Sequence, residues 1–487
     1  MKRRTFLAAA GTAALGYAYC HHAASATRPN ILWIISEDTS PDIACYGDPL
    51  VKTPHLDALA AEGVRYDNAF ATCPVCSPAR SAMMTGMYQT SIGVQNHRSH
   101  RDDNYHLPEP VAVITSYFRD AGYFVSNGNG TNPEKPGKTD WNFSPREQPF
   151  DGTDWRQRKE GQPFFAQFNF SLTHRDFKRD PAQPIDSDAV TLPPYYPDTP
   201  LLRRDWADYL ESLQVLDGQI GVLLKRLEED GLAENTIVVY HGDHGRPQVR
   251  GKQWLYEGGI RVPLIVRKPQ GEDGGTVSES LVSLIDLAPT MMTWAGISPP
   301  SHLQGQPIDS GTPREYVVCA RDRCDETVDR IRCVRTHRYK YIKNYFPDRP
   351  YLQFNAYKKK QYPAVSVLEQ WQAEGKLTEA QKPFMATTRP EEELYDLSAD
   401  PWEVNNIAGD AAHSEILKNL RETLQGWSES TGDMGAIPES KEITDYWMEE
   451  ARGRHKKALE SRGLTLESTP AEHVAYWEKR LLGKDGA

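Results

Sequence analysis

The sequence predicts an α/β protein: a central, mostly parallel or mixed sheet sandwiched by helices, with a smaller C-terminal α+β domain. Three observations lead there. Apolar runs such as residues 30–36 show no polar alternation, as strands covered on both faces do. They alternate with helical patterns, the clearest at 205–230, where Trp206, Leu210, Leu213, Leu216, Ile220, Leu223 and Leu227 recur every three or four residues. Beyond about residue 315 the pattern shifts to mixed β-branched, basic and aromatic residues over 328–345.

Composition narrows the function classes. The chain has 487 residues, 67 acidic against 56 basic, for a net charge of −11. An acidic balance without a long basic run argues against a nucleic-acid partner. A mean hydropathy of −0.63 and 35 prolines and 35 glycines spread along the chain argue against a membrane-spanning or collagen-like protein.

Taken in order, residues 1–26 read as an export signal. Lys2, Arg3 and Arg4 precede a short apolar run, and Ala24-Ser25-Ala26 supplies a cleavage site. Arg3-Arg4-Thr5-Phe6-Leu7 resembles a twin-arginine motif, so the mature chain is expected from Thr27, periplasmic or secreted and without an integral membrane span. A catalytic domain is expected over 27–315. Its first strand runs into Glu37-Asp38, a helix at 54–62 stops at Gly63, and further strands fall at 123–126, 164–170, 236–240 and 263–266. Glu37-Asp38, His174 and Asp243-His244 follow strands, where such sheets place ligands. A second domain is expected over 316–430, loop-like at 347–363 and helical at 365–375 and 414–429. The tail, 431–487, is charged and partly helical and suggests no chemistry.

Seven cysteines are few for an exported chain of this size, whose core needs no disulfide scaffold. Cys73-Pro74-Val75-Cys76 has the spacing of a redox pair or half a zinc site, but no second such pair follows at zinc-ribbon spacing. Pairing among Cys319, Cys324 and Cys333 is left open.

Cys76-Ser77-Pro78-Ala79-Arg80, followed by residues 81–86, resembles the Cys-x-Pro-x-Arg signature of the formylglycine-dependent sulfatases, in the alkaline phosphatase superfamily. The resemblance runs over nearly all of the mature chain, through residues 54–59, Lys252 with Tyr256–Arg261, residues 286–290 and residues 393–397. It implies that a maturing enzyme oxidises Cys76 to formylglycine. The hydrated aldehyde carries two hydroxyls on one carbon, one to attack sulfur and the other to expel sulfate. It further implies a calcium ion held by Glu37, Asp38, Asp243, His244 and the converted Cys76, with Arg80, Lys138, His174 and Lys252 around the sulfate. Residues 137–140 and 391–396 look most like bacterial relatives of heparan N-sulfatase, which makes a sulfated polysaccharide or its oligosaccharides the expected substrate.

Three departures bear on mechanism. The first acidic pair is usually Asp-Asp, whereas here it is Glu37-Asp38. His244 offers nitrogen, an unusual calcium ligand. Asp140 stands where the family has a histidine two residues after the lysine, which leaves His174 as the expected general acid. The basic turn at 96–101, with His97, Arg98 and His100, reads equally as a substrate contact or as a surface loop paired with Asp102 and Asp103. The rival readings are a phosphate or phosphonate ester hydrolase of the same superfamily and a non-catalytic sugar-binding relative.

Overall fold

The computed structural model describes residues 28–100, 103–130 and 132–483. The expected signal at 1–26, and Arg101 and Asp102 of the basic turn, lie outside the described residues.

An eight-stranded mixed sheet comprises β1 (Asn30–Ser36), β2 (Val64–Phe70), β3 (Phe124–Asn129), β4 (Asn132–Pro136), β5 (Phe164–Phe170), β6 (Thr236–Gly242), β7 (Arg261–Arg267) and β8 (Thr276–Ser283). The spatial order is β4-β3-β5-β1-β6-β7-β2-β8. The centre, β3-β5-β1-β6, is parallel, while β7 runs antiparallel to both β6 and β2. With it come helices α1 (Pro54–Glu62), α2 (Cys76–Thr85), α3 (Ile114–Asp120), α4 (Pro200–Glu229), α5 (Glu257–Ile260) and α6 (Leu287–Trp294).

Strand β1 shows why its run is apolar throughout. Leu32 and Ile34 join one core with the leucines of α1 and α4, and Ile31, Trp33 and Ile35 join the other with Met83, Phe118 and Met291. Each fully buried side chain of this kind contributes roughly 1.5–3 kcal/mol. Helix α4 starts earlier than its apolar stripe because Thr199 caps it, accepting from the Leu202 amide at 3.3 Å, with Pro200 in the first turn.

An antiparallel sheet follows, ordered β12-β11-β10-β9, from β9 (Val317–Arg321), β10 (Ile331–Arg335), β11 (Tyr339–Asn344) and β12 (Glu392–Asp396). Its helices are α7 (Ala356–Gln361), α8 (Pro363–Ala373), α9 (Lys382–Met385) and α10 (Ser414–Thr431), and the tail forms α11 (Lys441–Glu460) and α12 (Pro470–Leu482). Leu417, Leu420, Leu424 and Trp427 of α10 pack on this sheet, while Trp477 of α12 returns to the α4 core. Helix α7 lies inside the segment expected to be loop: its sequence, AYKKKQ, has no apolar period, and the Asn355 side chain starts it by accepting from the Lys358 amide at 2.9 Å. Cys45, Cys73, Cys76, Cys319, Cys324 and Cys333 are all free thiols, so neither the Cys73–Cys76 pair nor the 319/324/333 group is bridged.

Candidate active site

Parallel pairing of β1 with β6 brings Ser36 opposite Gly242, so Glu37-Asp38 and Asp243-His244 leave adjacent strand ends side by side. Asp38 turns with φ +51, which costs a non-glycine residue about 1 kcal/mol. The turn is secured by Asp243, whose Oδ1 accepts from the backbone amides of Asp38 and His244, both at 2.9 Å.

Cys76 is the first residue of α2, at the positive end of a helix that is buried along its whole length. Its Sγ lies 3.3 Å from His244 Nε2 and 3.6 Å from Lys252 Nζ. Donor atoms of Asp38, Cys76 and His244 all fall within 4.8 Å of one another. One turn along, Arg80 donates to Asp243 Oδ2 at 3.0 Å and to Asn169 Oδ1, at the end of β5, at 2.7 Å.

Lys252 donates to both oxygens of Asp38 at 2.9 Å. Its loop is held by backbone packing that only glycine permits. A Cβ on Gly245 would lie 2.1 Å from the Gly258 carbonyl oxygen, and one on Gly259 would lie 2.1 Å from that of Trp254. Lys138 Nζ lies 2.7 Å from Glu37 Oε2 and 3.7 Å from Asp140. His174 donates from Nδ1 to the Arg175 carbonyl at 2.7 Å, which leaves Nε2 facing Asp38 Oδ2 at 3.9 Å.

Charge compensation is dense. Burial pushes the Asp38 carboxyl up, but Lys252, His174 and His244 outweigh it and hold it below its ordinary range. Burial works against charge on His244 too, yet Asp243, Asp38 and Cys76 raise it to about 9. The Cys76 thiol, pushed up by burial, is drawn below its ordinary value by Lys138, Lys252 and His244. The two lysines also suit a bound oxyanion.

The sulfur opens into a cleft of about 450 Å³ lined by Cys76, His97, Arg98, His174 and Lys252. Ser77 Oγ accepts the Arg98 amide at 3.0 Å and is hydrogen-bonded to His97 Nδ1 at 2.9 Å, and His97 Nε2 lies 3.7 Å from Asp325. His100 does not line the cleft. Its Nδ1 meets Asp103 at 2.6 Å, its Nε2 meets the Gly93 carbonyl at 3.0 Å, and its ring stacks on Tyr105, so the surface-loop reading describes it.

The tail, from which no chemistry was expected, is part of the wall. Arg454, Lys457, Ala458 and Ser461 line the cleft, together with Asp325, Glu326, Tyr357 and Lys360. No local sequence signal marks them; packing of α7 against α11 brings the helical ones there, and the loop between β9 and β10 brings Asp325 and Glu326. Arg332, by contrast, is buried and paired with Asp322 and Asp433, a structural role.

A buried cysteine backed by cations and carboxylates is an arrangement suited to holding a small oxyanion. The Sulfatase family model matches residues 29–297, and the model for the C-terminal part of N-sulphoglucosamine sulphohydrolase matches 242–365. An ulvan-active sulfatase of Formosa agariphila is 36% identical over 86% of this chain and 78% of its own length. Human N-sulphoglucosamine sulphohydrolase is 26% identical over 83% of this chain and 91% of its own. The fold is also that of a phosphonate monoester hydrolase of Agrobacterium radiobacter, with a TM-score of 0.61 at 19% identity, covering 83% of this chain and 96% of that one. The chain belongs to the sulfatase family of the alkaline phosphatase superfamily, and it is a sulfuric ester hydrolase.

Proposed function

We propose that this enzyme removes sulfate from a sulfated polysaccharide or its oligosaccharides outside the cytoplasm, with Cys76 converted to formylglycine by a maturing enzyme. The observation that carries the reading is the position of Cys76 at a helix N-terminus, within 3.6 Å of both His244 and Lys252. The names of the ulvan-active and N-sulphoglucosamine relatives support a sulfated glycan, and the 36% identity of the former favours sulfate over phosphonate, which the fold alone does not decide.

The donor set fits a hard divalent cation such as calcium. Glu37, Asp38 and Asp243 are three buried carboxylates at two adjacent strand ends, and they would hold it together with His244 and the Cys76 position. Bound there, the ion would polarise a sulfate oxygen, and the hydrated aldehyde would supply a nucleophile that can release its own product. Lys252 and Lys138 neutralise sulfate oxygens from two sides. Arg80 fixes Asp243 from behind. His174, with Nδ1 tied to a carbonyl, presents Nε2 to the leaving oxygen and donates the proton. Mass spectrometry of the peptide containing Cys76 tests the proposal: replacement of the sulfur by oxygen with loss of two hydrogens, the change from a –CH2SH thiol to an aldehyde, supports it. Unmodified thiol alone, from a host able to convert it, would count against it. Rates on matched sulfate and phosphonate esters decide the ester class.

A further inference from the structure

The cleft extends well past the sulfur, and its outer wall is cationic. Of the charged side chains lining it, Arg98, Lys252, Lys360, Arg454 and Lys457 are basic and only Asp325 and Glu326 acidic, in a chain whose net charge is −11. The two acids already have partners: Asp325 faces His97 at 3.7 Å and Gln253 Nε2 at 3.4 Å, and Glu326 accepts the Ala356 amide that opens α7. Lys252 serves Asp38, and Arg98 serves Asp140. That leaves Lys360 of α7 with Arg454 and Lys457 of α11, of which Arg454 also attracts Asp325 and Glu326 through space. All three are exposed, and none forms an ion pair among the described residues.

Their placement is built, not incidental to a loose tail. Helix α11 lies against α7, and its small residues Ala451 and Ala458 are buried. Its Trp447 ring sits under Arg323 at 5.3 Å and under Arg454 at 5.9 Å, and Arg323 is clamped by Glu439 just before the helix. The loop that carries Asp325 into the cleft therefore also fixes the helix that carries Arg454.

We infer that Lys360, Arg454 and Lys457 form a second anion subsite, which takes a carboxylate or a further sulfate on the glycan beyond the ester being cleaved. The inference rests on the sulfated-glycan reading and deepens it: the preferred substrate is polyanionic, not merely sulfated. Unpaired cations at a cleft rim favour anionic ligands and make their binding salt-dependent.

The test is inhibition of 4-nitrophenyl sulfate hydrolysis, a substrate without a second anion, by ulvan tetrasaccharides. The same preparation with its carboxylates reduced to alcohols is run in parallel. For R454Q/K457Q, and for K360Q added to it, the half-inhibiting concentration should rise about tenfold or more, and its dependence on salt should flatten. If carboxyl reduction alone reproduces the rise, the second anion is a carboxylate; if it does not, the anion is a sulfate. Unchanged inhibition in the variants, no inhibition of the wild type, or an equal loss of 4-nitrophenyl sulfate turnover would each overturn the subsite. Absence of sulfate release by the mature wild type would instead overturn the sulfatase reading itself.

Discussion

The guanidinium of Arg98 donates to both oxygens of Asp140, Nε to Oδ1 at 3.3 Å and Nη2 to Oδ2 at 3.1 Å. Burial pushes this carboxyl up, but Arg98 and Lys138 together hold it well below the usual carboxylate range. An acid that stays ionised at neutral pH has no proton to give. This argues against Asp140 as the proton donor in place of the histidine; it pairs with two cations, Arg98 and Lys138, beside the cleft.

His174→Ala should accordingly cost far more on a sugar sulfate than on an activated aryl sulfate. A positioned acid is worth about a hundredfold to ten-thousandfold when the leaving group is an alkoxide, and little when it is an acidic phenol. Rates on paired substrates measure this, and equal losses on both would leave His174 only a binding role.

Replacing Cys76 by alanine should abolish sulfate release and leave thermal unfolding nearly unchanged. The side chain is small, and alanine suits the first turn of α2. Turnover that survives this substitution would defeat formylglycine chemistry here.

Asp38→Asn and Asp243→Asn should each lower the calcium retained after dialysis, read by elemental analysis, and lower activity with it. Both substitutions keep side-chain shape while removing a charge. Full activity after exhaustive chelation would contradict a metal-dependent site.

His97 gives a prediction for acid stability. Burial lowers it to about 3, against the pull of Asp325 and Asp140 and aided by Arg98 and Lys252. The folded protein thus binds this proton more weakly than the unfolded chain, whose histidine titrates near 6.5. The stability it contributes is complete above pH 6.5 and is lost as pH falls toward 3, by up to about 1.4 kcal/mol per pH unit. Urea midpoints measured from pH 7 to 5 should therefore fall more steeply for wild type than for His97→Gln, and parallel curves would refute the assignment.

The core of the fold is legible where burial on two faces leaves an unbroken apolar run, as in β1, β5 and β6. Strand β2 reads VRYDNAF, mixed in character, and its register shifts against both neighbours, so no period marks it. Polar pairs after apolar runs reveal Glu37-Asp38 and Asp243-His244, because strand ends are local features. Asp325, Lys360, Arg454 and Lys457 are not legible in this way. They lie at least 249 residues beyond Cys76, on elements whose sequences look like ordinary solvated surface.

Every residue from Cys76 to Thr85 is buried in the finished protein. An enzyme that edits a cysteine by gripping the pentapeptide around it would find neither Pro78 nor Arg80 within reach once α2 has docked. If Cys76 is converted as proposed, the burial of α2 requires that the conversion come early in the life of the chain, on a still unfolded polypeptide. Were such a chain also exported already folded, as the Arg3-Arg4 motif predicts, that conversion would have to precede export.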